Sequence, residues 1–257
     1  MKTFSRIYLG FILLLLYAPI LALVVFSFTD SEVFGMWDGF SLDLFRNLLS
    51  GSVEEINVAL FNTAWILVLV ILFSVILGTT AAIGYHYARH KALKASIYIV
   101  NDVSMSNPDI VAAVSLFLLY VSLGISRGGF TVLLSQIALC TPFVFTCVLP
   151  VLQKMDPEVY EASADLGASL WTTLRRGVIP QIKPGIVSGA LTAAIVSLDD
   201  YAITLFSRGN NGFETLSTFI YADARRGALT PELRPLFSII VLLMMVLFFF
   251  NMKKSKK

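Results

Sequence analysis

Six long apolar runs dominate the chain and leave it few ways to fold. They lie near residues 7–28, 58–85, 96–123, 130–152, 185–207 and 236–252, each between charged or Gly/Pro-rich intervals. A helix that crosses a bilayer needs about 20 apolar residues, and none of the runs alternates with the two-residue period of a barrel strand. The expectation is an all-α membrane protein, a bundle of six spans forming one domain over residues 1–257. Composition agrees. Hydrophobic residues make up 57% and charged ones only 14%, and the mean hydropathy of +0.80 lies outside the range of water-soluble chains.

Lysine and arginine in the short loops set the orientation. Lys2 and Arg6 precede the first run; Arg89, Lys91 and Lys94, with His86 and His90, follow the second; Lys253, Lys254, Lys256 and Lys257 close the chain. Lys154, Arg175, Arg176 and Lys183 fall in the loop after the fourth run. The first outer loop instead carries Asp30, Glu32, Asp38, Asp43, Glu54 and Glu55 against Arg46. Both termini are expected in the cytoplasm. Arg208, Arg225, Arg226 and Arg234 run against this pattern, but Glu214, Asp223 and Glu232 offset most of that charge. The first run exceeds the ~7–15 residues of a signal-peptide core and is read as a retained span. A net charge of +2 gives no reason to expect a nucleic-acid partner. Cys140 and Cys147 lie roughly 10 Å apart along one helix, too far for a disulfide, and are read as packing residues.

The longest polar interval separates the fourth and fifth runs, a cytoplasmic loop over residues 153–184. Asp156 can cap a helix that has Pro157 at its first position and Glu158 beside it. Gly167 ends that helix, and Ser169 can cap a second one through Leu174. A helical hairpin in a cytoplasmic loop is something a second protein can grip. The chain has no G-x-x-x-x-G-K-[ST] phosphate loop, no Ser/His/Asp or Cys/His set and no H-E-x-x-H. No catalytic residue and no metal site is therefore assigned, and the chain is not expected to be an enzyme.

Carboxylates inside the apolar runs are the second informative feature. A charge in hydrocarbon costs at least ~2.5–3.5 kcal/mol and usually faces a cavity or a partner. Asp199 and Asp200, in SLDDYAITLF, lie about 15 residues, or roughly 22 Å, beyond the cytoplasmic start of the fifth run. Asp109 lies about 13 residues, or roughly 20 Å, into the third, just after Pro108, which breaks the helix there. Asp102 is shallower. Three carboxylates at similar depth suit a cationic solute, with the faces of Tyr201, Phe206 or Tyr120 as further partners for an amine. A structural role at a helix break, or a bond to a partner subunit, is the other reading of Asp199 and Asp200, and both stay open here.

Glu161, Ala162, Gly167 and Pro180 fall at the spacing E-A-A, three residues, G, nine residues, I-x-L-P; Ser163 replaces the second alanine, Ile179 the leucine, and Gly177 stands where isoleucine is usual. Together with NPDIVAAVSLFLLY and SLDDYAITLFSRG, this loop resembles the spermidine/putrescine branch of ABC-importer permeases, specifically its second permease subunit. The resemblance implies a type I importer fold and a bacterial plasma (inner) membrane location. It implies that Glu161, Ala162, Ser163, Gly167, Ala168 and Pro180 form a coupling helix and its flank, docked on a cytoplasmic ATPase dimer. ATP and Mg would be bound there, with no cofactor in this chain. It further implies a heterodimer with another permease subunit, an extracytoplasmic solute-binding protein, and polyamine uptake by alternating access past Asp109, Asp199, Asp200 and Tyr201. Competing expectations are the same machinery carrying another solute, a proton-coupled transporter using the three carboxylates, and a membrane scaffold without transport. The second would be favoured by inverted internal repeats, which the halves do not display.

Overall fold

Helices carry the regular structure of the computed structural model, which describes residues 2–31, 33, 35–155, 167–210, 213–227 and 230–242. In chain order these are α1 (Lys2–Phe26), α2 (Asp43–Ser50), α3 (Glu54–Tyr87), α4 (Lys91–Ser106), α5 (Asp109–Ser122) and α6 (Gly129–Gln153). They continue with α7 (Leu170–Asp199), α8 (Ala202–Ser207), α9 (Leu216–Arg225) and α10 (Leu233–Leu242). Among the described residues, four helices are long and apolar enough to cross a membrane: α1 from Tyr8, α3, α6 and α7. The pair α4–α5 passes the same test only as two pieces bent by 109°. The sixth expected run begins in α10, and residues 243–252 lie outside the described residues.

The chain divides into two compact units, Ala59–Thr218 and Met1–Val58 with Phe219–Lys257. In the first, α6 is the central element and packs along α7. Lipid tails are as apolar as leucine, so helices in a membrane associate by close packing of small residues rather than by exclusion from water. Gly185, Gly189 and Ala193 recur every four residues along α7 and meet α6. A Cβ at Gly185 would stand 3.1 Å from the Cys147 carbonyl oxygen, and one at Gly189 3.2 Å from Val144 Cα. Gly78 of α3 makes the same approach from another side, with Val144 Cβ at 2.7 Å from its virtual Cβ. Val144, Val148, Leu152, Val178 and Ile182 fill this core. Both cysteines are free and lie in the same seam: Cys140 Sγ is 3.6 Å from the Ala193 carbonyl, and Cys147 Sγ 3.6 Å from Thr192 Oγ1.

In the other unit, α1 leaves its apolar side chains from Tyr8 to Leu16 largely exposed, a surface suited to lipid or to another subunit. The segment just after α1 is tied to α10 by polar contacts. Ser238 Oγ donates to Ser27 Oγ (2.9 Å), and Arg234, 1% exposed, donates to the Ser31 carbonyl (2.7 Å). Phe28 stacks on Phe40 and leans on Phe45 beside them.

Candidate functional site

Two interrupted spans hold the carboxylates singled out in the sequence. The first interruption is Asn107–Pro108. Both residues are extended, with ψ of 128° and 135°, because proline disfavours a helical residue before it and cannot donate to the preceding turn. The Pro108 carbonyl accepts from Val111 N (2.9 Å) and Ala112 N (3.1 Å), which starts α5. Asp109 is exposed in the first turn of that helix, where the helix dipole favours a carboxylate. Before the bend, α4 buries none of its side chains and exposes Asp102, Ser104 and Ser106. The bend falls between α4 and Asp109, so the chain leaves the axis of α4 by 109° from Asp109 onward.

The second interruption is Asp200–Tyr201, and side chains hold it. Asp199 ends α7 and is exposed; Asp200, with φ −66° and ψ 119°, turns inward and is 8% exposed. Its Oδ1 accepts from Ile203 N (3.0 Å), and its Oδ2 from Thr204 N (3.0 Å) and Thr204 Oγ1 (2.6 Å). These bonds satisfy the orphan donors at the start of α8, as a capping aspartate does. Gln136 of α6 adds Nε2 to the same Oδ2 (3.3 Å) and to Thr204 Oγ1 (2.8 Å), while its Oε1 accepts from Ser197 Oγ. The Asp200 carbonyl accepts from Ser217 Oγ (2.8 Å). A cavity of about 10 Å³, lined by Thr63, Gln136, Ser197, Thr215 and Ser217 among others, lies beside this cluster. That is room for about one water.

The far end of α8 is fastened to α5 and α6 by a second polar cluster. Ser135 Oγ lies 2.8 Å from Tyr120 Oη and 2.9 Å from Ser207 Oγ, and Thr131 Oγ1 donates to the Ser207 carbonyl (2.8 Å). The rings of Phe117 and Phe206 meet edge-on, and the Arg127 guanidinium covers Phe117 at 4.6 Å. Of the four residues assigned to a solute path, Asp199 and Asp109 are exposed, Tyr201 is half-buried, and Asp200 is enclosed. Gln136, Ser197 and Thr204 escaped the sequence reading. The one available signal was an amide in the middle of an apolar run, SQIALC.

In the expected coupling loop, Glu161, Ala162 and Ser163 lie outside the described residues. Gly167 is in the left-handed region at φ +71° with open space around it. Ala168 follows, and Ser169 Oγ accepts from Thr172 N (3.3 Å), capping α7. The helix does not stop at Leu174, the end expected from sequence. It widens into a π-helical stretch over Thr173–Val178, with Ile179 N bonded to the Leu174 carbonyl, and runs on as the fifth apolar run. The expected loop 153–184 is thus helical from Leu170 onward and continuous with the span. Pro180 gives the physical reason. It has no N–H for the Arg176 carbonyl, and its ring crowds that group, so the preceding turn opens. Leu170 and Trp171 are exposed there, beside exposed Arg175 and Arg176.

Residues 74–252 match the model of the family described as binding-protein-dependent transport system inner membrane component. The chain belongs to this family. It is 34% identical over 235 residues to the spermidine/putrescine transport system permease protein PotC of Haemophilus influenzae, covering 88% of this chain and 86% of that one. It is 31% identical over 233 residues to the putrescine transport system permease protein PotI of Escherichia coli, covering 88% and 81%. Among solved structures, a bacterial ABC transporter involved in alginate import superposes with a TM-score of 0.73 at 16% identity, over 99% of this chain and 95% of that one. The MetNI methionine transporter superposes with a TM-score of 0.60 at 18% identity, over 84% and 98%. The fold is that of ABC-importer permeases, and the chain is an inner-membrane transport component.

Proposed function

We propose that this permease is one of two different membrane subunits of an ATP-driven polyamine importer, working by alternating access with both termini in the cytoplasm. The observation that carries the substrate class is the 34% identity, over nearly the full length, to a spermidine/putrescine permease. An ATPase dimer, holding ATP and Mg, would supply the energy through the segment that includes Glu161, Ala162, Ser163, Gly167, Ala168 and Pro180. A solute-binding protein would deliver spermidine or putrescine to the outer face. Along the path, Asp199 and Asp109 offer exposed carboxylates to an ammonium group and Tyr201 offers a ring face. Asp200, already bonded through both oxygens, would shape that path from behind.

The test is ATP hydrolysis by the reconstituted complex, with the binding protein empty or loaded with spermidine or putrescine. Stimulation by a loaded polyamine, abolished by Gly167→Val, supports the cargo and the coupling segment together. An assembled complex that ignores both polyamines removes the substrate assignment and leaves the family membership intact.

A further inference from the structure

Gln136 sits in the interior of α6, 2% exposed, where an amide is costly unless its donors and acceptor find partners. Its partners lie on both sides of the interruption in the neighbouring span. Ser197, three residues before Asp200, donates to Oε1; Asp200 and Thr204, at and beyond the break, receive Nε2. The bonds from Asp200 to Ile203 and Thr204 are local to α8 and do not depend on where α6 lies. The bonds from Gln136 do depend on it. They fix the angle at which α7 hands over to α8 against the central helix, next to a cavity with room for about one water.

We infer that Gln136 is a positioning residue of the transport step. By holding Ser197 on one side of the break and Asp200 and Thr204 on the other, it sets the geometry in which exposed Asp199 and half-buried Tyr201 meet the solute. The inference rests on the reading above that Asp199 lies on the path. Gln136 is enclosed by its partners and need not touch the solute, so its removal alters how well the site is assembled rather than its charge.

The experiment is spermidine uptake by proteoliposomes containing the complete transporter, with KM and maximal rate measured separately. The variants are Asp199→Asn, Gln136→Leu, Gln136→Glu, Asp200→Asn, and Gln136→Glu combined with Asp200→Asn. In the combined variant the carboxylate at 136 still accepts from Ser197 and now receives the amide at 200, so donor and acceptor are exchanged across α6, while Thr204 N loses the acceptor it had in Oδ2. Gln136→Leu and Gln136→Glu are expected to raise KM roughly ten-fold, the scale of a buried polar group left unpaired, with the maximal rate within about two-fold. The exchanged pair is expected to recover part of the KM relative to Gln136→Glu and Asp200→Asn alone, the lost Thr204 N bond being common to it and to Asp200→Asn. A space-filling role would not respond to exchange of donor and acceptor.

Unchanged KM in both Gln136 variants, while Asp199→Asn raises it, overturns the inference and spares the path. An exchanged pair no better than either of its single changes also overturns it, and this comparison decides the matter if Gln136→Leu does not assemble. Unchanged KM in Asp199→Asn overturns the path reading and the inference with it.

Discussion

The two interrupted spans reach similar ends by opposite means. At Asn107–Pro108 the backbone itself forbids continuity, and the residues around it stay exposed: Asp109 begins α5 in the open, and α4 has no buried side chain. At Asp200–Tyr201 no proline is present. The helix stops because a buried carboxylate offers the next helix a better set of partners than continuation would, and α6 locks the arrangement through Gln136. The first break is written in one residue and is held by few partners. The second is a consensus among five residues and is embedded in the packed seam of α6 and α7. A break of the first kind can flex; one of the second kind holds its angle.

This contrast predicts a graded series of effects, each read as thermal unfolding of the purified complex unless another measurement is named. Gly189→Val attacks the seam under the capped break and is expected to cost about 3 kcal/mol or more, since its branches would enter the space of Val144 Cγ1, already 3.0 Å from a virtual Cβ. Asp200→Ala strips Ile203 N, Thr204 N and Thr204 Oγ1 of their acceptor and is expected to cost about 2–3 kcal/mol; a loss under ~0.5 kcal/mol would show that the cap does not hold the break. Pro108→Ala is expected to change stability by less than about 1 kcal/mol. Spin labels at Lys91 and Ser122 should nonetheless separate as the 109° bend relaxes, and an unchanged distance would mean that packing, not proline, sets the bend. Asp109→Asn is expected to stay within ~0.5 kcal/mol and to reveal itself only as weaker spermidine uptake.

Sequence and structure agree at three residues that act through their own backbone or a local cap. Pro108 ends a helix because of its ring, Gly167 takes a positive φ, and Ser169 caps the helix after it; each was legible from residue type. Asp200 shows the limit. An aspartate three residues before Ile203 and four before Thr204 has the spacing of a helix cap, yet two adjacent aspartates in an apolar run read equally as a charged pair. The backbone turn between them decides, sending Asp199 outward and Asp200 inward. Gln136 was invisible because its partners are 61 to 68 residues away, and no local pattern marks such a bond. The continuation of α7 through Gly177 and Pro180 was hidden for a related reason. Residues that usually end helices here only loosen one turn, with Val178 and Ile182 on either side of Pro180 fully buried in the core.

That loosened turn has a rotational meaning. An α-helix winds about 100° with each residue, and a stretch in which Ile179 bonds back to Leu174 accommodates one residue more than the α-helical pattern would. Leu170 to Thr172, which precede Thr173–Val178 in the same helix, are therefore out of phase with the span by about one residue. Leu170 and Trp171 point to a different hour of the clock from the one an unbroken helix would give them. The facing of this first turn is thus dialled in by Pro180, eight residues beyond Thr172, and a change of winding at that one place would swing Leu170 and Trp171 about the axis without moving the span.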